Sequence, residues 1–90
     1  MKLSIYSLKN ILFQGNASLL NCQTTMGEIT VLNNHETLIT TLAAGIVRIK
    51  ATSPAGEASL APEGREQFFP IKSGFLEVKP GNEVRCIIEQ

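Results

Sequence analysis

Apolar and polar residues alternate along much of this chain, and this period of two is what most restricts the folds open to it. Near the start, Leu3 and Ile5 are separated by polar residues, and near the end Val84, Cys86 and Ile88 alternate with charged ones. Successive side chains of a strand point to opposite faces, so alternation gives one buried face and one solvated face. The pattern therefore predicts strands rather than helices.

Turn-forming residues divide the alternating segments at short intervals. Glycine, proline and asparagine favour turns because they adopt or preset backbone angles that other residues avoid. The spacing predicts an all-β fold, a small antiparallel β-sandwich of about ten short strands in two sheets. We expect the sharpest hairpin between residues 76–79 and 83–89. The turn signals are Lys9-Asn10, Gly15-Asn16, Met26-Gly27, Asn33-Asn34, Ala44-Gly45, Pro54-Ala55-Gly56, Glu63-Gly64, Ser73-Gly74 and Pro80-Gly81-Asn82.

Three segments contain residues that conflict with a simple reading of the alternation. Residues 34–42 can begin a helix capped by Asn34, but four of them are β-branched, and with the family likeness described below we predict a strand. Residues 51–66 contain two prolines and two glycines and are predicted to form a loop, with or without a short strand at 58–60. Pro70 cannot donate a ladder hydrogen bond, so its strand is predicted to lie at a sheet edge or to contain a bulge.

Composition bounds the class of protein. Ninety residues, 43% of them hydrophobic and 18% charged, indicate one globular domain over 1–90. The net charge is zero and Lys and Arg do not cluster, which argues against a nucleic-acid partner. The apolar runs are far shorter than the ~20 residues of a membrane helix, and residues 1–6 lack the apolar core of a signal peptide. We expect a cytosolic chain that reaches a membrane only through partners.

Reactive side chains are scarce. The chain has one histidine, His35, and no aspartate, and nothing pairs a serine or threonine with that histidine and an acid. Cys22 and Cys86 have no Cys or His nearby in sequence, so metal-ligand spacing is absent. We interpret them as small apolar residues on strands, with a disulfide between neighbouring strands as the alternative. We therefore expect no catalytic residue, no metal and no cofactor.

Two blocks, in the same order, resemble the N-terminal domain of the epsilon subunit of the F-type rotary ATP synthase. In that family the first block reads G-E-hydrophobic-G-hydrophobic-L-P-G-H-A-P-L, then a leucine, then G-hydrophobic-hydrophobic-R-I. The second block reads F-x-V-x-G-G-hydrophobic-L-E-V. The resemblance covers about residues 3–88. The matching residues here are Gly27-Glu28-Ile29-Thr30-Val31-Leu32-Asn33-Asn34-His35-Glu36-Thr37-Leu38, Leu42 and Gly45-Ile46-Val47-Arg48-Ile49, and then Phe69 and Ser73-Gly74-Phe75-Leu76-Glu77-Val78.

The resemblance implies a non-catalytic rotor subunit of the central stalk. Such a subunit clamps the foot of the gamma subunit and sits on the polar loops of the membrane c-ring, coupling proton or sodium flow to ATP synthesis. It implies a peripheral position at the cytoplasmic face of a bacterial plasma membrane and no obligate homo-oligomer. A sandwich with this role should have one outer face with a larger apolar patch than a monomer needs.

The resemblance also implies three interface residues, each with an ordinary alternative. Glu28 matches the family's glutamate that faces the ring, or is a solvated turn acid. His35 matches a histidine near gamma, or is a loop histidine that is exposed or hydrogen-bonded to its turn. For Ser7, which we place in the first strand, only the surrounding alternation matches the family. The ordinary alternative is a plain strand serine.

The chain departs from the family pattern at several loops. Asn33-Asn34 replaces the Pro-Gly before the histidine, and Ser73 replaces the first of two glycines. Most members continue into a helical hairpin that can block ATP hydrolysis and, in some, binds ATP. The sequence ends at Gln90, either because the protein is naturally short or because it is one part of a longer protein. We expect neither hairpin inhibition nor ATP binding from these residues.

A ligand-binding or carbohydrate-binding β-sandwich module is the alternative function. Such a module needs an aromatic platform. This chain supplies no tryptophan, and its aromatic residues are Tyr6, Phe13, Phe68, Phe69 and Phe75.

Overall fold

The chain forms strands throughout a computed structural model that describes residues 1–52 and 65–90, and the predicted all-β class is confirmed. Eight strands lie in these residues, rather than about ten. They are β1 (Lys2–Tyr6), β2 (Ile11–Thr24), β3 (Gly27–Leu32), β4 (Leu38–Leu42), β5 (Gly45–Ala51), β6 (Arg65–Ile71), β7 (Ser73–Lys79) and β8 (Glu83–Glu89).

Part of the difference in number comes from β2, a continuous strand of 14 residues. The turn predicted at Gly15-Asn16 is wrong, because both residues lie inside β2 and pair with β1. The register against β5 shifts between Ala17 and Leu19. A bulge of this kind adds one residue and bends the strand, so β2 passes from one layer of the sandwich to the other without a turn.

Both layers of the sandwich include β2. Its first half pairs with β1, and its second half pairs with β3 and β5. In the first layer β1, β8, β7 and β4 follow one another, and in the second β6 lies beyond β5. Thr24 also pairs with Leu42 of β4, so strand pairing is continuous around the molecule. The β1–β8 ladder is parallel, which is possible because no short turn joins these two strands.

The inner faces of the two layers form one apolar core. Alternate residues of each strand point inward, as the period of two predicts, and the removal of their apolar surface from water stabilises the fold. The buried core residues are Met1, Leu3, Ile5, Ala17, Leu20, Cys22, Val31, Leu42, Val47, Ile49, Ile71, Leu76, Val78, Val84, Cys86 and Ile88.

Two of the local predictions are confirmed. The β7–β8 hairpin turns through residues 80–82, where Gly81 and Asn82 have φ of 85° and 59°. Pro70 lies on β6, which among the described strands pairs only with β5 and is the last strand in the sheet order. Its missing N–H is therefore tolerated at an edge.

Of the other two predictions, the strand is confirmed in part, and the loop is wrong where the structure describes it. The strand predicted over 34–42 begins at Leu38, after a turn at 33–34. The loop predicted over 51–66 is wrong at both ends, because the β5–β6 ladder extends to the pair Ala51 and Arg65. The strand considered at 58–60 lies outside the described residues.

Both cysteines are buried and free, Cys22 on β2 and Cys86 on β8. The interpretation as small apolar strand residues is confirmed. Burial raises the pKa of the Cys22 thiol to about 11. Burial, and then the charge of Cys22, raises the pKa of Cys86 to about 12.

Gly74 allows β7 and β8 to approach closely. A methyl group on Gly74 would lie 2.5 Å from the carbonyl oxygen of Ile87, so we expect Gly74→Ala to lower the free energy of unfolding by about 1–3 kcal/mol. Urea unfolding measures the change. Gly15→Ala is the control, because its methyl group would lie 3.6 Å from the Phe13 ring, an ordinary contact. Equal losses in the two variants would contradict the close approach.

The thiol pKa values predict a loss of stability at alkaline pH. In the unfolded chain the thiols ionise near their ordinary pKa of 9.0, whereas in the folded chain the pKa values are about 11 for Cys22 and about 12 for Cys86. Their contribution is therefore complete below pH 9 and falls as the pH rises through this window. We expect the unfolding free energy of Cys86→Ala to fall less steeply between pH 9 and 11 than that of the wild type. If denaturant titrations show that the unfolding free energies of the variant and the wild type fall equally steeply with pH, the raised pKa of the Cys86 thiol is disproved.

Candidate interaction surfaces

Three large apolar side chains lie together on the outside of the first layer. Ile39 on β4, Phe75 on β7 and Ile87 on β8 are 74%, 60% and 44% exposed. Phe75 pairs with Ile87, and the three line one shallow depression with Glu77 and Arg85. We call Ile39, Phe75 and Ile87 the apolar face. This is the kind of patch expected above on one outer face.

The apolar face departs from the alternation of buried apolar and exposed polar residues that is seen along β8. Along β8, Glu83, Arg85 and Glu89 occupy outward positions, and Ile87 takes a position in the same phase. A contiguous exposed apolar patch usually marks a contact with another molecule. No sequence motif marks Ile39 or Ile87 as surface residues, and the usable signal is an apolar residue in the polar phase of a strand, as at Ile87.

The second layer has a separate exposed pair. Phe68 on β6 and Ile46 on β5 are 57% and 55% exposed, near an ion pair of 3.4 Å between Arg48 and Glu66. Phe68 and Phe75 are the two exposed phenylalanines of the described residues, and they lie on different layers. They cannot form a common aromatic platform, so this part of the chain gives no support to the ligand-binding alternative.

Glu28 lies near the start of β3, and His35 lies beyond its end. Glu28 is exposed and pairs with Gln23 of β2. His35 is also exposed, and its Nδ1 donates to the carbonyl oxygen of Glu36 at 2.8 Å. The four strand steps from Glu28 to Leu32 span about 13 Å, and in the turn that follows the His35 N–H donates to the Leu32 carbonyl oxygen at 3.3 Å. The two residues therefore lie at opposite ends of β3.

The turn before His35 is anchored by a second turn. Asn34 has a φ of 61°, a left-handed conformation that asparagine tolerates better than most residues. Its backbone N–H donates to the side-chain oxygen of Asn82 at 2.7 Å. Asn34 thus adopts the left-handed conformation at a position where the ATP synthase epsilon family has glycine. The hydrogen bond to Asn82 holds the backbone that leads to His35.

Ser7 closes the turn after β1. Its N–H donates to the Asn10 carbonyl oxygen at 2.8 Å, and its hydroxyl accepts from the N–H groups of Asn10 and Lys9 at 3.1 and 3.4 Å. The placement of Ser7 inside the first strand is therefore wrong by one residue, because these turn bonds replace ladder bonds. Its hydroxyl has a structural task in the turn.

The strand ladders show where Ser7 lies relative to the other two. A row of paired residues crosses the first layer, from Ile88 on β8 to Gly74 on β7 and Leu42 on β4. Leu42 also pairs with Thr24, which belongs to the hairpin that contains Glu28. Ser7, next to the end of β1, is thus at the same end of the first layer as the Glu28 hairpin. Three strand spacings of about 4.8 Å separate β1 from β4. The structure brings no two of the three predicted residues into one cluster.

Groups that would hold a metal are not assembled in the described residues. Within 1–52 and 65–90, no three His, Cys, Asp or Glu side chains come together as a possible metal site. Nor does this part of the chain contain a helix long and apolar enough to cross a membrane.

Comparison with known sequences identifies relatives of the whole chain. Residues 1–90 match the family model of the ATP synthase delta/epsilon chain β-sandwich domain. An ATP synthase epsilon chain of Nitrosococcus oceani is 35% identical over 80 residues, which cover 89% of this chain and 50% of that one. The epsilon chain of Psychrobacter cryohalolentis is 34% identical over 76 residues, covering 84% and 48%. This chain spans about half the length of these relatives.

Comparison with solved structures supports the fold. A chain of the Euglena gracilis mitochondrial ATP synthase superimposes with a TM-score of 0.81 at 22% identity, covering all of this chain and 51% of that one. A chain of the Tetrahymena thermophila mitochondrial ATP synthase central stalk and c-ring gives 0.76 at 16% identity, covering 100% and 63%. At such identities the likeness concerns the fold, and the predicted β-sandwich is confirmed.

The backbone at Asn34 predicts how substitutions there behave. Asn34→Gly should change the unfolding free energy by no more than about 0.5 kcal/mol, whereas Asn34→Val should lower it by roughly 1–2 kcal/mol, because a β-branched residue is strained at positive φ. Chemical denaturation of the two variants measures the difference. Similar stabilities for the valine and glycine variants would show that the turn is not left-handed at this position.

Proposed function

We propose a function for this chain from its family. The chain belongs to the ATP synthase delta/epsilon β-sandwich family, and the proposed function is that of a non-catalytic rotor component of an ATP synthase central stalk. It couples the gamma subunit to the membrane c-ring during ATP synthesis driven by protons or sodium ions. The observation that carries the proposal is the apolar face, an exposed surface on a sandwich whose core is already complete.

The apolar face is proposed to pack against gamma. Ile39, Phe75 and Ile87 form a central apolar contact, with Glu77 and Arg85 beside it as polar neighbours. An apolar centre with a polar rim is the usual anatomy of a stable interface. Burying the exposed parts of three such side chains is worth a few kcal/mol before the losses of association.

The ends of β3 are proposed to serve two different partners. His35, after the end of β3, contacts gamma, and Glu28, near its start, contacts a polar loop of the ring. Their places at opposite ends of β3, whose residues from Glu28 to Leu32 span about 13 Å, support this division. Ser7 is proposed to border these contacts by holding the β1–β2 turn. A rotor subunit joined to two partners needs well-separated contacts on a stiff body, and continuous strand pairing supplies the stiffness.

The proposed location follows from the proposed partners. The chain sits peripherally at the cytoplasmic face of a bacterial plasma membrane and meets the membrane through gamma and the ring. It takes no part in the chemistry of ATP synthesis and needs no cofactor.

Binding measurements test this function. We expect Phe75→Ser and His35→Ala to weaken binding to purified gamma, by roughly tenfold or more for the central Phe75. Glu28→Lys should weaken docking on ring-containing membranes by on the order of 1 kcal/mol, as for a single rim charge, and leave gamma binding unchanged. Phe68→Ser is the matched control for Phe75→Ser, because it removes an equally exposed phenylalanine from the other layer.

Thermal melts of each variant show whether it is folded. Wild-type chain that binds neither gamma nor ring membranes would refute the rotor proposal. Wild-type-like binding by both Glu28→Lys and His35→Ala would refute only the two residue assignments. If Phe68→Ser loses gamma binding and Phe75→Ser does not, the wrong layer has been assigned to gamma.

A further inference from the structure

The β2–β3 turn combines a buried hydroxyl group with an exposed apolar tip. Thr24, at 5% exposure, is the only polar residue that is buried in the described part of the chain. Met26, two residues later, is 91% exposed, more than any other large apolar side chain there. Neither feature is explained by the core of the sandwich.

The Thr24 hydroxyl fixes the shape of the turn. It donates to the Gly27 carbonyl oxygen at 2.7 Å and accepts from the Met26 N–H at 3.0 Å. Gly27 has a φ of 121°, which side chains disfavour, so the chain reverses over only two residues. The buried side chain thus bonds to the backbone on both sides of the peptide that joins Met26 to Gly27.

Bonds to β4 hold the same turn from the other side. The Thr25 N–H donates to the Thr41 carbonyl oxygen at 3.1 Å, and the Ala43 N–H donates to that of Gln23 at 2.9 Å. The backbone under Met26 is therefore fixed before any partner arrives, which lowers the entropy lost on binding. The flexible thioether side chain of methionine can adapt to an irregular partner surface.

We infer that Met26 is a contact residue for the membrane ring and that Thr24 is the positioning residue that presents it. The inference rests on the proposed function, which sets Glu28 against a loop of the ring. Met26 and Glu28 are two positions apart on one hairpin, within about 7 Å. The ring loop that fits this hairpin offers a cationic or amide donor to Glu28 and, beside it, an apolar side chain to Met26.

The test is binding of the full chain to ring-containing membranes, with gamma binding measured in parallel. Met26→Ser should raise the Kd for the membranes about tenfold, as expected for a central apolar contact. Thr24→Val keeps the shape and burial but lacks the hydroxyl, and should raise this Kd severalfold. Thr24→Ser retains the hydroxyl and should restore binding. None of these substitutions should change the affinity for gamma, which also shows that each variant is folded.

Phe68→Ser is the control, because Phe68 is 57% exposed on β6 of the second layer, away from the turns proposed to bind, and should leave ring binding as in the wild type. Wild-type ring affinity for Met26→Ser, or an equal loss for Phe68→Ser, would overturn the contact. Unchanged ring binding by Thr24→Val would overturn the positioning role. If Glu28→Lys loses ring binding and Met26→Ser does not, this inference fails while the proposed function stands. If the wild type does not bind the ring, both fail.

Discussion

Backbone pairing through β2 holds the two layers of the sandwich together. This strand pairs with β1, β3, β4 and β5, and the register shift between Ala17 and Leu19 sets which of its residues face inward. In a strand, a shift of one residue exchanges the two faces. Without the bulge, Leu20 and Cys22 would point to solvent, so the position of the bulge decides the composition of the core.

Side chains stiffen the turns at which partners are proposed to bind. Ser7 closes the turn after β1, Thr24 closes the β2–β3 turn, and Asn82 holds the turn at Asn34. The proposed interface residues therefore lie on or beside a fixed backbone rather than on free loops. For a subunit whose proposed work is mechanical, preorganised contacts matter more than reactive groups, and the scarcity of reactive side chains agrees with that.

Period and turn chemistry were enough to predict the class, the terminal hairpin and the edge position of Pro70, because each depends on local backbone preferences. The turn at Gly15-Asn16 was wrong, since glycine also suits a strand that bends, and only the pairing with β1 decides between the two. The apolar face combines Ile39 with Phe75 and Ile87 through strands distant in sequence. Local pattern does not show which outward positions become neighbours. The roles of Glu28, His35 and Ser7 came from the family likeness, and their partners stay predictions.

The parallel pairing of β1 with β8 has a consequence for how the chain reaches its fold. Lys2 lies beside Glu83, about eighty residues away in sequence. Until β8 has been synthesised, one edge of β1 is open, and such an edge invites pairing with other chains. Contacts between residues so distant also slow folding, because the loop must close before the contact forms. During translation this domain completes its sheet late, and a chaperone that shields β1 would protect it over that interval.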